Sequence, residues 1–174
     1  MMSDFWSSLD ENVKPKLYIE TSIVSYITSR PSRDVVINAN QQLAQEWWEN
    51  HHRFDLFVSE LVINEVSKGD VLMAQKRLDL IQDIPLIDFN DEAKDLAKEI
   101  LRQNILPPKA TLDVFHIAIS VVHEIDFLLT LNCKHIANAF IFRRIEKICS
   151  EFGYETPIVC TPQEILEKEN EIDD

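Results

Sequence analysis

Glycine is nearly absent from this sequence, with Gly69 and Gly153 the only two among 174 residues. The chain therefore cannot contain the G-x-G-x-x-G dinucleotide fingerprint or the G-x-x-x-x-G-K-[ST] phosphate loop. It also lacks the G-x-S-x-G nucleophile elbow. These absences exclude the common dinucleotide-dependent enzymes, the P-loop NTPases and the α/β-hydrolases, so any catalytic site has to be built without a glycine-rich loop.

Cysteine is scarce as well. The three cysteines, Cys133, Cys149 and Cys160, are odd in number and show no C-x-x-C spacing, which argues against a disulfide framework or a structural zinc site. No apolar run reaches the length of about 18 residues that a membrane span requires. The first residues lack a basic segment followed by an apolar one, as a secretory signal would have. We therefore expect a cytoplasmic protein that does not enter a membrane.

Basic residues are outnumbered, with 17 Lys and Arg against 30 Asp and Glu, for a net charge of −13. Acids crowd at both ends: residues 1–12 hold three acids and no base, and residues 164–174 hold six acids and Lys168. Removing both ends leaves 21 acids and 16 bases, a net charge of −5. An acidic protein repels nucleic acid at long range, so metal ions would have to offset this charge at a nucleic-acid site.

Short apolar strands alternate with helices along the whole chain. Strands are predicted at residues 16–20, 54–58, 85–89, 126–130 and 157–160. Helices are predicted at residues 21–29, 34–52, 59–69, 71–82, 91–104, 111–124 and 137–152. This alternation predicts a three-layer α/β/α domain whose sheet is mostly parallel and has four to five strands. We expect one domain at residues 16–162, an N-terminal extension at residues 1–15 and an acidic tail at residues 163–174.

Two glutamates stand at positions where a charge needs an explanation. Glu20 ends the first strand and immediately precedes a helix, so it either favours the helix dipole or lies at the ligand-binding edge of the sheet. Glu65 shares a helical face with Leu61, Val62 and Val66, where the pattern predicts a buried side chain. A buried carboxylate needs a cation or hydrogen-bond donors, and either a Lys or Arg partner or a metal would serve.

The apolar helix at residues 111–124 carries a narrow polar stripe of Asp113, His116 and Ser120. Asp113 is either a first-turn acid that favours the helix dipole or a ligand at the same edge of the sheet as Glu20. For His116 we expect a supporting hydrogen bond rather than metal ligation. Asn132 and His135 follow the fourth strand and reach this edge again, although a capping role would also explain Asn132.

Together these positions place Glu20, Glu65, Asp113 and Asn132 at one edge of one sheet. Carboxylate and amide oxygens are the hard ligands that suit Mg²⁺ or Mn²⁺. Such ions can turn water into a nucleophile against a phosphodiester bond. The convergence of these side chains indicates a metal-dependent hydrolytic site.

Four stretches around these residues resemble, in order, the motifs of the PIN-domain family, which includes the VapC-type toxins of toxin–antitoxin pairs. They are LYIETSIV at 17–24, SELVINEV at 59–66, LDVFHIA at 112–118 and FLLTLN at 127–132. The resemblance covers residues 16–162 and implies an endoribonuclease with one or two Mg²⁺ or Mn²⁺ ions and an RNA substrate. It also allows two protein partners, an antitoxin and a second copy of the chain.

By position, the resemblance implies that Glu20, Glu65 and Asp113 hold the metal. Asn132 would assist through its amide oxygen or a bound water, and Ser22 would help to position a ligand or water. The chain departs from the family's pattern at two of these places. Glu20 stands where an aspartate is usual, and Asn132 stands where an acid is frequent. These departures motivate an alternative, a non-catalytic PIN-like module that binds protein or RNA.

Overall fold

Five short strands form an all-parallel sheet in the order β3-β2-β1-β4-β5. The computed structural model describes residues 13–173, with side chains described through residue 167. The strands are β1 (Lys16–Ile19), β2 (Asp55–Ser59), β3 (Leu86–Ile87), β4 (Phe127–Leu129) and β5 (Ile158–Cys160). The predicted strands and their parallel pairing are thus confirmed. The third strand is shorter than the predicted 85–89, because it lies at the sheet edge, where Leu86 is exposed.

Strand β1 is the centre of the sheet. It pairs with β2 on one side, with Tyr18 opposite Phe57, and with β4 on the other side, with Tyr18 opposite Leu128. Its apolar run is fully buried from residue 17 to residue 19. Burial on both faces explains why this strand reads as continuously apolar rather than alternating.

The described part of the chain contains eight α-helices. They are α1 (Thr21–Thr28), α2 (Val35–Asn50), α3 (Glu60–Val66), α4 (Val71–Ile81), α5 (Asp91–Arg102), α6 (Thr111–Val122), α7 (Ala139–Glu151) and α8 (Pro162–Asp173). Helix α1 packs against α2, α3 and α4, while α5 packs against α6 and α7. This division into two helical groups agrees with the predicted three-layer α/β/α architecture. No helix in the described ranges is long and apolar enough to cross a membrane.

Helix α8 was not predicted, because its sequence was interpreted only as an acidic tail at residues 163–174. It packs against α2 and buries Ile165 and Leu166. Two apolar residues among many acids give too weak a periodic signal for a helix to be predicted. Residues 1–12 of the predicted N-terminal extension, and the side chains beyond residue 167, lie outside the described part of the chain.

Candidate active site

Glu20 lies at the carboxyl end of the central strand, and its backbone N–H donates to the carbonyl of Leu129 at 3.1 Å. One carboxylate oxygen, Oε2, accepts hydrogen bonds from the Ser22 backbone N–H at 3.1 Å, from the Ser22 hydroxyl and from the Thr130 hydroxyl at 2.8 Å. The bond to the Ser22 N–H makes Glu20 the N-cap of α1. Its other oxygen, Oε1, receives no hydrogen bond from the described residues. Glu20 therefore caps a helix with one oxygen and leaves the second uncommitted.

The hydroxyl groups of Ser22 and Thr130 also bind the segment that follows β4 and hold it near the start of α1. The Ser22 hydroxyl oxygen accepts from the Leu131 N–H at 2.8 Å, and the Thr130 hydroxyl oxygen accepts from the Asn132 N–H at 2.9 Å. Each hydroxyl thus donates to Glu20 while it accepts from the segment that carries Asn132. This double use ties the positions of Glu20 and Asn132 to each other.

Glu65 projects from α3, the helix that follows β2. Its Oε2 accepts hydrogen bonds of 2.6 Å from the Thr21 hydroxyl and 2.6 Å from His116 Nε2. Burial by itself raises the pKa of Glu65, but the hydrogen bond and charge of His116 and the hydrogen bond of Thr21 outweigh it, so the pKa lies below its ordinary value. The side chain keeps 23% of its surface exposed, so it is less buried than the pattern predicted. No Lys or Arg within the described ranges forms an ion pair with it.

His116 is buried and hydrogen-bonded at both ring nitrogens. Nε2 contacts Glu65, and Nδ1 lies 2.7 Å from the Tyr18 hydroxyl. The Tyr18 hydroxyl in turn lies 2.7 Å from the hydroxyl of Ser59. Burial, partly countered by the hydrogen bond to Ser59, raises the pKa of Tyr18, so this phenol stays neutral. His116 therefore contacts a carboxylate at one ring nitrogen and a phenol hydroxyl at the other.

Asp113 lies in the first turn of α6, and both of its oxygens are hydrogen-bonded. Oδ1 accepts from the Asn132 side-chain amide at 2.9 Å, and Oδ2 lies 2.7 Å from His135 Nδ1. The amide oxygen of Asn132 accepts from the His135 backbone N–H at 3.2 Å. That oxygen thus holds a turn, and the amide group holds Asp113. The role of Asn132 in assisting a metal, through the second lone pair of its oxygen or a bound water, stays a prediction.

The three carboxylates thus lie along the carboxyl ends of β2, β1 and β4 in two hydrogen-bonded groups. Glu20 is joined to Asp113 through Thr130 and Asn132, whereas Glu65 is bonded to Thr21 and His116. His116 and His135 are the basic side chains at ion-pair distance from them in the described structure. Sequence reasoning missed the hydroxyl groups of Tyr18, Ser59 and Thr130. For Tyr18 a signal existed, because the strand period of two places it on the same face as Glu20.

The carboxylate oxygens at this site are the type of ligand that binds a hard dication. Glu20 and Glu65 each keep one oxygen free of hydrogen bonds from the described chain, and the Asp113 oxygens retain further lone pairs. The present arrangement is not a finished site, however. Within residues 13–167, no three His, Cys, Asp or Glu side chains stand close enough to form a ready-made metal-binding group. Binding of a dication would require the three carboxylates to draw closer together.

No protein-family profile matches the chain, and no curated protein sequence does. Solved structures do resemble it. A chain of VapBC2 from Rickettsia felis, solved bound to a DNA fragment from their promoter, has a TM-score of 0.51 and 19% identity, over 84% of this chain and 98% of that one. A chain of DNA-bound VapBC from Salmonella typhimurium has a TM-score of 0.52 and 11% identity, over 85% and 98%. At such identities the likeness concerns the fold, and the chain accordingly has the PIN-domain fold of VapC-type toxins.

Proposed function

We propose that this chain is a metal-dependent endoribonuclease in which Glu20, Glu65 and Asp113 hold Mg²⁺ or Mn²⁺. The observation that supports this proposal is the presence of three carboxylates along one sheet edge, none of which forms an ion pair with Lys or Arg among the described residues. Glu20 and Glu65 each keep one oxygen that receives no hydrogen bond from the described residues, and such oxygens are open to a cation. A dication is the cation that such oxygen ligands prefer.

In this proposal each carboxylate has its own set of positioning groups. Ser22 and Thr130 hold one oxygen of Glu20 and leave the other for the metal. Asn132 and His135 hold Asp113, and Asn132 would also assist the metal through its amide oxygen or a bound water. The bound dication would lower the pKa of a water and offset the charge that develops on the phosphate during attack.

A substrate rich in phosphate fits this site only together with metal. The folded region carries a net negative charge, so RNA would be repelled at long range and recognised at close range through its phosphates. This reasoning predicts that RNA binding depends on the dication. The three cysteines are unpaired, which suits the reducing cytoplasm, where we place the protein.

The test of this function is the substitution Asp113→Asn. We expect it to lower Mn²⁺-dependent cleavage of a mixed RNA substrate by about 100-fold or more, because a charged ligand is lost. Asp95→Asn is the matched control, since Asp95 is an exposed acid on α5 whose partner is Lys98. Full activity of Asp113→Asn would refute the assignment, as would cleavage by the wild type that persists in EDTA.

The fold also supports a narrower role as the toxin of a toxin–antitoxin pair. We propose an antitoxin partner with a basic segment, because the chain is acidic overall and its site carries three carboxylates. Expression of the chain alone should arrest growth, and co-expression of the protein encoded next to it should restore growth. Harmless expression together with a cleavage-competent enzyme would refute the toxin role while leaving the nuclease in place.

A non-catalytic binding module is the second candidate. It is favoured by the lack of a ready-made three-ligand group within residues 13–167 and by the missing charge at Asn132. Calorimetry distinguishes the two functions with the folded wild-type chain. Binding of Mn²⁺ that is lost in Asp113→Asn supports the nuclease. No binding at millimolar Mn²⁺ supports the module.

A further inference from the structure

A line of buried hydrogen bonds runs from the interior of the sheet to Glu65. It begins at the Ser59 hydroxyl, passes through the Tyr18 hydroxyl at 2.7 Å and continues to His116 Nδ1 at 2.7 Å. From His116 Nε2 it reaches Glu65 Oε2 at 2.6 Å. Ser59 and Tyr18 are 0% exposed and His116 is 1% exposed, so water does not replace these contacts.

The direction of donation along this line depends on the charge of the His116 ring. An ionised carboxylate only accepts hydrogen bonds, so His116 Nε2 carries a hydrogen and donates it to Glu65. With a neutral imidazole, Nδ1 accepts, so the Tyr18 hydroxyl donates to His116 and the Ser59 hydroxyl donates to Tyr18. With a charged imidazole, Nδ1 donates to Tyr18, and Tyr18 donates to Ser59. In both cases His116 donates to Glu65 and the line stays intact.

The Ser59 hydroxyl is directed at Tyr18 and not at the first turn of α3. Ser59 occupies the N-cap position of α3, where serine usually accepts a hydrogen bond from the first turn of the helix. Within the described structure its side chain makes no such bond, whereas Asp34, Asn90 and Asn138 do cap their helices. The helix that carries Glu65 thus begins without a side-chain cap, and the Ser59 hydroxyl is directed at Tyr18 instead.

We infer that Tyr18 and Ser59 are positioning residues for Glu65 and act through His116. Both ring nitrogens of His116 are held, so the ring cannot rotate away from Glu65 without breaking a buried hydrogen bond. Glu65 Oε2 is fixed in this way, and Oε1 is left as the oxygen for a dication. The inference rests on the proposed function only in that Glu65 is taken to hold metal.

The test is Mn²⁺ binding by the full-length Tyr18→Phe and Ser59→Ala variants, measured by calorimetry together with thermal unfolding. Partners that orient metal ligands typically change metal affinity by 10- to 100-fold, so we expect each variant to bind Mn²⁺ about tenfold more weakly. The matched control is Ser120→Ala, since Ser120 is also fully buried but donates to the carbonyl of Ile117 within α6. It should bind Mn²⁺ as the wild type does. Loss of thermal stability with unchanged affinity in both variants would overturn the inference.

A second pair of variants tests the contact between His116 and Glu65 directly. In His116→Gln the side-chain amide is long enough to donate near the position of Nε2, whereas the shorter amide of His116→Asn is not. We expect His116→Gln to retain most of the Mn²⁺ affinity and His116→Asn to lose it. Equal loss in the two variants would contradict positioning by a hydrogen bond.

Failure of the metal site and failure of the positioning role are separable. If the wild type binds no Mn²⁺, the proposed nuclease fails, and the positioning role is judged in metal-free protein. NMR of the His116 ring should then show a slowly exchanging Nε2–H signal in the wild type and in Ser120→Ala. Broadening or loss of this signal in Ser59→Ala, which removes one oxygen atom, supports positioning, and an unchanged signal overturns it.

Discussion

Replacement of Glu65 by Gln separates what the carboxylate contributes to the stability of the metal-free protein from what it contributes to metal binding. Glu65 accepts two hydrogen bonds of 2.6 Å, from Thr21 and His116. The amide oxygen of glutamine can accept both hydrogen bonds, but it carries no negative charge. A hydrogen bond to a charged group contributes about 1.5–3 kcal/mol and a neutral one about 0.5–1.5 kcal/mol. Because 23% of the side chain is exposed to water, we use the smaller values of the difference between charged and neutral hydrogen bonds. We expect a loss of about 1 kcal/mol in the free energy of unfolding.

Metal should change the comparison between the two proteins. A ligand that binds only the folded state at 100 times its Kd stabilises that state by about 2.7 kcal/mol. For a chain of this size each kcal/mol corresponds to a rise of about 2–4 °C in Tm. The wild type should therefore gain roughly 5–10 °C in saturating Mn²⁺. Glu65→Gln should gain little, since one of three ligands has lost its charge.

The measurement is urea unfolding and thermal unfolding of both proteins, with and without Mn²⁺ and with EDTA as the metal-free reference. Glu60→Gln is a suitable control, because Glu60 is an exposed acid on the same helix. It should keep the full gain in Tm. An equal Mn²⁺-dependent gain in the wild type and in Glu65→Gln would refute the assignment of Glu65 as a metal ligand.

Three further predictions concern charge and burial. The pKa of Glu65 is lower in the folded protein than the ordinary 4.5, so its contribution to stability should be complete above that pH and be lost as the pH falls through the folded pKa. Urea unfolding of the wild type and Glu65→Gln in this acidic range checks the sign, and a difference that stays constant with pH would contradict it. Asn132→Asp should replace a donor to Asp113 by a like charge, which destabilises the metal-free protein by about 1–3 kcal/mol and strengthens Mn²⁺ binding, as unfolding and calorimetry will show. A thiol reagent at pH 8 should modify one cysteine per native chain, the exposed Cys133, because the other two are buried and burial raises the pKa of Cys149 to about 11; three rapidly modified thiols would contradict this burial.

The layered fold was predictable because its signals are local and repeated. Each buried strand reads as a short apolar run, and most helices begin at a side chain that caps them, such as Asp34 or Asn138. Helix α8 could not be predicted, because its buried apolar residues, Ile165 and Leu166, are surrounded by acids in the sequence. The length of β3 depends on its place at the edge of the sheet, and a linear pattern does not contain that information.

The candidate site was predictable as a set of positions but not as a set of contacts. The strand and helix periods place Glu20, Glu65 and Asp113 at one edge, because the carboxyl ends of parallel strands meet there. The partners of these carboxylates are hydroxyl and imidazole groups brought in by tertiary structure, and residues such as Thr130 leave no periodic signal. The role of Asn132 likewise depended on which end of its amide faces Asp113. The metal-binding role of the carboxylates stays a prediction.

The hydrogen bond between Thr130 and Glu20 joins residues 110 positions apart in the sequence. A growing polypeptide on the ribosome therefore cannot complete this edge of the sheet until its fourth strand has emerged and docked beside the first. Contacts between such distant segments form late in folding, because the entropy of closing a long loop is lost before the contacts form. If the chain does cut RNA, the cell that makes it is exposed to that activity only after residue 130 has left the ribosome and docked beside the first strand.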